Sequence, residues 1–316
     1  MTQRPKHVLE YAALRSVATV VRILPYRAAL LVGWLIAAAS YVIARGRVRE
    51  ARERLHDAFD ARFSKREIGR IAWRSCRNFF FAVTELMQLD RFDRRWMETH
   101  VLDYEQTAQT LRRRAGEGAV LASPHMGAWI LGGAAMQRAG LPVFFITGRQ
   151  KNPLTDAYLN RLRGSTGIQT FPRGSSILKA VARRLREGGV LGILADVRMP
   201  SEGIRVQFFG RGINVAPGAA LFARMADVPV YPTIVTRVGW TRHRIRFGDP
   251  VRPDRTLGRE EDWRRMTQCL FDGMEEAIRD APGQWFWYNK RWILDPPPPQ
   301  GYKAGSGATQ AGRRQP

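Results

Sequence analysis

The chain has 316 residues, and 45% of them are apolar, which is enough for a large hydrophobic core and indicates a globular protein. Lysine and arginine total 51 against 28 acidic residues, and the resulting formal net charge of +23 attracts polyanions. The two cysteines, Cys76 and Cys269, have no cysteine or histidine neighbour at metal-ligand spacing, so they are interpreted as ordinary thiols and no metal site is predicted.

The distribution of charge favours an anionic membrane surface over nucleic acid as the polyanionic partner. The basic residues, mostly arginine, are scattered along the chain instead of forming one block. The sequence has no zinc-finger or RNA-binding signature, and its aromatic residues do not alternate with a basic strand as a base-stacking surface requires. We therefore expect contact with membrane and not with nucleic acid.

The first predicted element is an apolar helix at residues 28–44, a run of 17 residues without a charge. Such a helix is roughly 25 Å long, close to the hydrocarbon thickness of a bilayer. It fits a spanning helix, a helix lying in the membrane interface or a buried core helix. Arginines flank the run, and if the segment spans the membrane, their higher density after it would hold the remaining chain in the cytoplasm. We predict a membrane-associated segment at residues 1–48.

The rest of the chain has the pattern of an α/β domain. Residues 47–89 have apolar side chains spaced at three and four positions, which predicts amphipathic helices. Short apolar runs then alternate with helical stretches, which predicts βαβ units and a largely parallel sheet. The predicted strands are residues 118–123, 142–147, 168–171, 189–195, 206–210, 229–235 and 244–247, and the predicted helices are residues 129–139, 153–162, 175–186, 216–225 and 262–280.

Two boundaries complete this organisation. We assign residues 49–295 to one catalytic domain, because the alternating pattern continues without a linker to its end. Residues 296–316 are too rich in proline, glycine and polar residues to form a core, so they are predicted to be a disordered tail.

The segment at residues 121–130 is the strongest functional signal. It predicts a buried strand that breaks at Pro124 and places His125 at a helix start, where a neutral imidazole serves as a general base. A carboxylate five residues later would orient the ring, but this position is Ile130. Asp196 ends the apolar run at residues 189–195, and it is either an exposed cap or a buried neighbour of His125 that replaces the missing carboxylate.

These residues resemble a known family, the bacterial lipid A late acyltransferases (lauroyl and myristoyl acyltransferases) together with the related phosphatidylinositol mannoside acyltransferases. The family motif has a histidine, a glycine two positions later, a tryptophan at the fourth position and an acid at the fifth; His125, Gly127 and Trp129 match it, and Ile130 does not. Further matches over about residues 10 to 295 are Asn152-Pro153 with Arg161 and Arg163, Leu194-Ala-Asp196, Phe208-Phe209-Gly210 with Pro217-Gly218-Ala219, and residues 282–292.

The resemblance implies a mixed, mostly parallel sheet covered by helices, similar to glycerolipid acyltransferases, at the cytoplasmic face of the inner membrane. It also implies an O-acyltransferase that moves a fatty acyl group from acyl carrier protein or coenzyme A to a hydroxyl of a glycolipid or lipid A precursor, with no cofactor. The residues that carry over are His125 as the base and Asp196 as the second catalytic residue. Those that carry over as substrate-binding residues are Glu85, Trp129, Arg161 and Arg163.

Two hypotheses therefore remain open. The first is an acyltransferase whose acyl chain lies in a groove lined by residues 144–146 and 208–209 beside His125. The second is a catalytically silent homologue that binds a lipid or a partner, because Ile130 replaces the motif acid. A carboxylate within hydrogen-bond reach of His125 favours the first, and an all-apolar surround favours the second.

Overall fold

A computed structural model describes residues 4–60, 62–174, 177–199, 203–290 and 292–294 of the chain. The tail predicted at residues 296–316 lies outside the described residues, as do positions 175 and 176 of one predicted helix. Within the described part the chain forms an α/β fold, as the alternating pattern predicted.

Six helices lie before residue 119, where the longer strands of the main sheet begin. They are α1 (Pro5–Ile23), α2 (Tyr26–Ile43), α3 (Arg45–Phe59), α4 (Lys65–Met87), α5 (Arg94–His100) and α6 (Tyr104–Arg114). Ser64 caps α4 through a capping box with Glu67, which satisfies two of the backbone donors that a helix start leaves without partners. The sequence analysis anticipated α2, α3 and α4 but not α1, because α1 mixes exposed aliphatic and basic side chains without a clear apolar stripe.

The main sheet has seven strands in the order β1-β9-β8-β2-β5-β3-β4. It is mixed and mostly parallel, since β8 and β9 alone form an antiparallel pair within it. Its strands are β1 (Val101–Leu102), β2 (Ala119–Ser123), β3 (Val143–Thr147), β4 (Gln169–Pro172), β5 (Val190–Leu194), β8 (Val230–Val238) and β9 (Arg242–Phe247). A separate hairpin joins β6 (Ile204–Phe208) and β7 (Arg211–Val215).

Helices cover both faces of this sheet, and each face has its own apolar core. These helices are α7 (Trp129–Arg138), α8 (Pro153–Gly164), α9 (Leu178–Arg186), α10 (Gly218–Ala226) and α11 (Arg259–Asp280). Side chains on the α7 face form one cluster with α6 and α8, and side chains on the opposite face form another with α9, α10 and α11. Because consecutive strand residues alternate between faces, each buried strand contributes to both clusters.

The C-terminal tryptophans belong to the core. Trp285, Trp287 and Trp292 are buried and contact one another as tilted or edge-on rings. Their rings therefore pack within the fold.

Candidate active site

Sheet order and register bring the two best candidates together. His125 follows β2 by two residues and Asp196 follows β5 by two residues, and these strands are parallel neighbours with Ser123 opposite Leu194. Continuing this register past the strand ends places residue 125 opposite residue 196. Both side chains therefore lie at the carboxyl edge of the sheet, where open α/β folds bind their ligands.

The imidazole and the carboxylate form a close pair. His125 Nδ1 lies 2.7 Å from Asp196 Oδ1, and the backbone N–H of His125 donates to Asp196 Oδ2 over 2.8 Å. Because an ionised carboxylate only accepts hydrogen bonds, Nδ1 carries the proton and Nε2 of the neutral ring carries the lone pair. Among the described residues, none hydrogen-bonds to Nε2, and His125 lines a cavity.

A third donor holds the carboxylate. The indole Nε1–H of Trp285 donates to Asp196 Oδ2 over 2.7 Å, and both side chains are buried. Burial alone would raise the pKa of Asp196, but the imidazole charge and these hydrogen bonds hold it below its usual range. Burial lowers the pKa of His125, and the charge and hydrogen bond of Asp196 outweigh it, so the pKa of His125 is raised.

The loop that carries His125 is fixed by the segment after α11. Gly127 N–H donates to the carbonyl of Gln284 over 2.9 Å, and Phe286 N–H donates to the carbonyl of His125 over 3.0 Å. Gly127 has φ +56°, and a Cβ there would overlap the carbonyl oxygen of Val235. Only glycine fits this position, because it combines a left-handed backbone with close approach of a neighbouring strand.

A cavity of about 620 Å³ opens beside His125. Its walls are mostly apolar, and both Trp129 and Ile130 line it. Trp129 meets the imidazole edge-on with ring centroids 5.4 Å apart. Ile130 thus forms part of an apolar wall, and the carboxylate beside the imidazole is that of Asp196.

The cavity reaches both faces of the sheet, because neighbouring strand residues such as Phe145 and Ile146 both line it although they point to opposite faces. We call the part on the α7 face the α7 arm; it is lined by Leu121, Met136, Val143, Phe145, Val235 and Ile245. We call the part on the opposite face the α10 arm; it is lined by Ile146, Ile177, Leu178, Ile193, Ala219 and Phe222.

Three arginines lie among the described residues that line this cavity: Arg163, Arg173 and Arg198. Arg163 Nη1 donates to Asn160 Oδ1 over 3.0 Å, and burial lowers the pKa of Arg163. Arg161, two residues earlier on α8, is exposed and does not line the cavity. The structure therefore brings Arg163 to the cavity and leaves Arg161 outside it.

Glu85 lies in a different environment. Its carboxylate accepts two hydrogen bonds from Arg237, each 2.7 Å long, and one of 2.6 Å from the Tyr26 hydroxyl, and His243 Nε2 lies 3.2 Å away. Burial would raise the pKa of Glu85, but Arg237 and His243 lower it strongly. None of these four side chains lines the cavity, so the structure does not place Glu85 beside the imidazole.

One predicted groove wall is wrong. Phe145 and Ile146 line the cavity as expected, but Phe144 is buried in the core, and neither Phe208 nor Phe209 lines the cavity. These two rings are buried against Trp285, because the β6–β7 hairpin folds over the core and away from the strand ends. The role of Trp285 as a donor to Asp196 was missed, since no pattern in the sequence links residues 89 positions apart.

Comparisons with known proteins agree with the motif resemblance. A sequence model of the family described as bacterial lipid A biosynthesis acyltransferase matches residues 3–293. The phosphatidylinositol mannoside acyltransferase of Mycobacterium tuberculosis (strain ATCC 25618 / H37Rv) is 28% identical over 187 residues, which cover 57% of this chain and 56% of that relative. The protein of the same name from Mycolicibacterium smegmatis is 26% identical over 186 residues, which cover 57% of this chain and 59% of that relative. The match thus spans somewhat over half the length of these relatives.

Proposed function

Because the chain belongs to the bacterial lipid A biosynthesis acyltransferase family, we propose that it moves a fatty acyl group from an acyl thioester to a hydroxyl of a glycolipid, with His125 as the general base. One observation carries this proposal. The ring of His125 is held at Nδ1 by Asp196 over 2.7 Å, and His125 lines the cavity.

The reaction needs one proton to move twice. Nε2 of His125 takes the proton of the acceptor hydroxyl as its oxygen attacks the thioester carbonyl. When the tetrahedral intermediate collapses, the C–S bond breaks and the departing thiolate takes the proton from Nε2. Asp196 acts as a positioning residue that fixes the tautomer and stabilises the imidazolium formed between these steps.

The α7 arm suits the acyl chain of the donor. It crosses five neighbouring strands, β9, β8, β2, β5 and β3. Neighbouring strands are about 4.8 Å apart, so the groove extends roughly 19 Å across the sheet. Phe145 forms its floor, and there is no room for a side chain at Gly133 or Gly192 because a Cβ at either position would overlap this ring. Trp129 lies at the end nearest His125, where it would contact the first carbons of the chain.

The relatives indicate the acceptor. Two of them are named phosphatidylinositol mannoside acyltransferases, so a glycolipid with an anionic phosphate is our first candidate. Arg163, Arg173 and Arg198 along the cavity provide guanidinium groups suited to such a phosphate. Acyl carrier protein and coenzyme A both supply the thioester that this chemistry requires, and we propose either as the donor.

We propose that α1 and α2 lie in the cytoplasmic leaflet of the inner membrane. Among the described residues, Tyr26–Ile43 is the helix long and apolar enough to span a bilayer, and 22% of this window is buried in the protein. The helix contacts α4 along one side, with Gly33 against Thr84 and Phe80, so lying in the interface leaves those contacts intact.

The outward faces of α1 and α2 support this placement. All the large apolar side chains that are more than a third exposed in the described chain lie there, apart from Trp240: Val8, Leu9, Val17, Val20, Ile23, Leu31, Leu35, Val42 and Ile43. α1 also lies near the cavity, because Asn152, two residues from the lining Gln150, donates to the carbonyl of His7 over 2.9 Å. Residues 1–48 would thus hold the cavity mouth beside the membrane.

Lipid analysis by mass spectrometry tests the activity. The chain is expressed in a host that lacks its own late acyltransferases, and its lipids are compared with those of a host that carries His125→Ala. We expect a lipid with one added acyl mass for the wild type and none for the variant. An added mass that persists in the variant removes His125 from the mechanism, and no added mass from a folded wild type favours the catalytically silent homologue.

A further inference from the structure

The α10 arm is a part of the cavity that the donor acyl chain leaves unused. Ile193 of β5 and Ile146 of β3 point away from the α7 face, and they belong to the same apolar cluster and the same cavity wall as Leu178 in the first turn of α9 and Ala219 in the first turn of α10. Both arms meet at the carboxyl edge of the sheet, where His125 lies. A chain in the α7 arm therefore leaves a second apolar chamber that opens at the same imidazole.

The chemistry of this chamber selects its occupant. The described residues deep in the α10 arm, such as Ile177, Ile193 and Phe222, are hydrocarbon side chains. The phosphopantetheine part of a donor thioester carries amide and hydroxyl groups, and burying these without hydrogen-bond partners costs several kcal/mol. A hydrocarbon chain has no such groups and gains free energy from the same burial.

The charge at the entrance agrees with an acceptor lipid. Arg173 follows β4 and Arg198 follows β5, so both lie at the strand ends where the α10 arm opens. An anionic head group above a hydrocarbon tail matches this order of basic rim and apolar chamber. A free fatty acid would place its carboxylate at the same rim, but it has no hydroxyl for the reaction.

We propose that the α10 arm holds one hydrocarbon chain of the acceptor. The inference rests on the proposed function, because it takes His125 as the meeting point of donor and acceptor. It assigns the two arms to two different substrates. The α7 arm selects the donor chain, and the α10 arm selects the acceptor.

Kinetics with a pair of acceptors tests the assignment. The full chain is assayed with palmitoyl-coenzyme A and either dipalmitoyl phosphatidylinositol mannoside or its deacylated head group, which keeps the hydroxyls and the phosphate. Ala219→Phe fills the α10 arm, and Met136→Phe is the matched change in the α7 arm. We expect Ala219→Phe to raise KM for the lipid at least tenfold, toward the value for the head group, and to leave the head-group reaction unchanged. Met136→Phe should alter donor chain-length preference alone.

A binding measurement keeps the test independent of activity. Phosphatidylinositol mannoside with a diazirine at the end of one chain is photolysed with the wild-type protein without donor, and the labelled peptides are mapped. We expect label at Ile193 or Phe222. Label confined to the α7 arm overturns the assignment. The assignment is also wrong if Ala219→Phe slows thioester cleavage equally with both acceptors, because the α10 arm would then bind the pantetheine of the donor. If the wild type transfers no acyl group to either acceptor from palmitoyl-coenzyme A or from palmitoyl-acyl carrier protein, the proposed function fails, while label in the α10 arm still places a lipid chain there.

Discussion

Two buried carboxylates in this molecule each lie beside a histidine, yet their surroundings give them opposite roles. Asp196 holds the ring of His125, which lines the cavity, and Glu85 lies in a closed group with Arg237, His243 and Tyr26. Both carboxylates are almost fully buried. Burial and a histidine partner are thus common to both carboxylates, and lining the cavity distinguishes the His125 pair as the candidate active site.

The two histidines differ in basicity for a reason that follows from their neighbours. Asp196 carries an uncompensated negative charge, which together with its hydrogen bond raises the pKa of His125 against the effect of burial. Burial lowers the pKa of His243, and although Glu85 acts against this, the charge of Arg237 adds to the lowering. The charge of Asp196 thus makes His125 more basic, whereas the charge of Glu85 is already neutralised by the guanidinium of Arg237.

The largest expected effect separates the two histidines by activity. His125→Ala should lower kcat/KM for acyl transfer by about 10⁴-fold in a protein that circular dichroism shows to be folded, because it removes the general base. His243→Ala should leave the kcat of the folded protein unchanged. If His243→Ala reduces kcat as much as His125→Ala does, the distinction between the two histidines is wrong.

The next effect is on stability. Glu85→Gln leaves the buried Arg237 without its counter-charge, so the free energy of unfolding should fall by about 3–5 kcal/mol. Since the pKa of Glu85 is lowered in the fold, its contribution is fully present above the unfolded value of about 4.3 and is lost as the pH falls toward the folded value. Urea unfolding of the wild type and the variant at neutral and acid pH measures the difference in their free energies of unfolding. A variant as stable as the wild type would show that the group contributes nothing.

A smaller effect concerns the donor to Asp196. Trp285→Phe keeps a buried ring but removes the indole N–H, and we expect a loss of about tenfold in kcat, equivalent to one weakened hydrogen bond to a charged group. Trp287→Phe is the control, because its N–H donates to the carbonyl of Pro282 and not to Asp196. Equal losses in both variants would make the Trp285 effect one of packing.

The smallest expected effect is at the motif position. Ile130→Asp restores an acid at the first turn of α7, but His125 Nδ1 already has a carboxylate, so we expect no gain in kcat. Ile130→Asn controls for a polar group in the cavity wall. A gain of tenfold or more with aspartate alone would show that Asp196 does not do the work of the missing acid.

The sequence predicted the local elements well and the long-range contacts poorly. The strands before His125 and Asp196 were anticipated within one residue, because buried parallel strands are short apolar runs between turn signals. Whether Asp196 lies beside His125 depended on β2 and β5 being neighbours. The order of the strands in the sheet cannot be read from the sequence, since β3 and β4 lie between β2 and β5 along the chain.

The position of other candidate residues relative to the cavity also depends on long-range contacts. Glu85 was assigned to substrate by resemblance, but its partner Arg237 is 152 positions away and closes it off from the cavity. Arg161 and Arg163 were equivalent in sequence, and the helix turns one toward the cavity and the other to solvent. Helical spacing alone does not say which face meets a cavity until the neighbouring elements are placed.

The pH dependence of kcat/KM for the wild type and Asp196→Asn tests the central claim most directly, because this parameter reports the base of the free enzyme. The neutral imidazole is the active form, so activity rises with pH, and the raised pKa of His125 puts the midpoint above the ordinary value of about 6.5. In Asp196→Asn burial is no longer opposed by a charge, so the midpoint should move to lower pH while the plateau falls by 10²-fold or more. An unchanged plateau and midpoint would contradict the account.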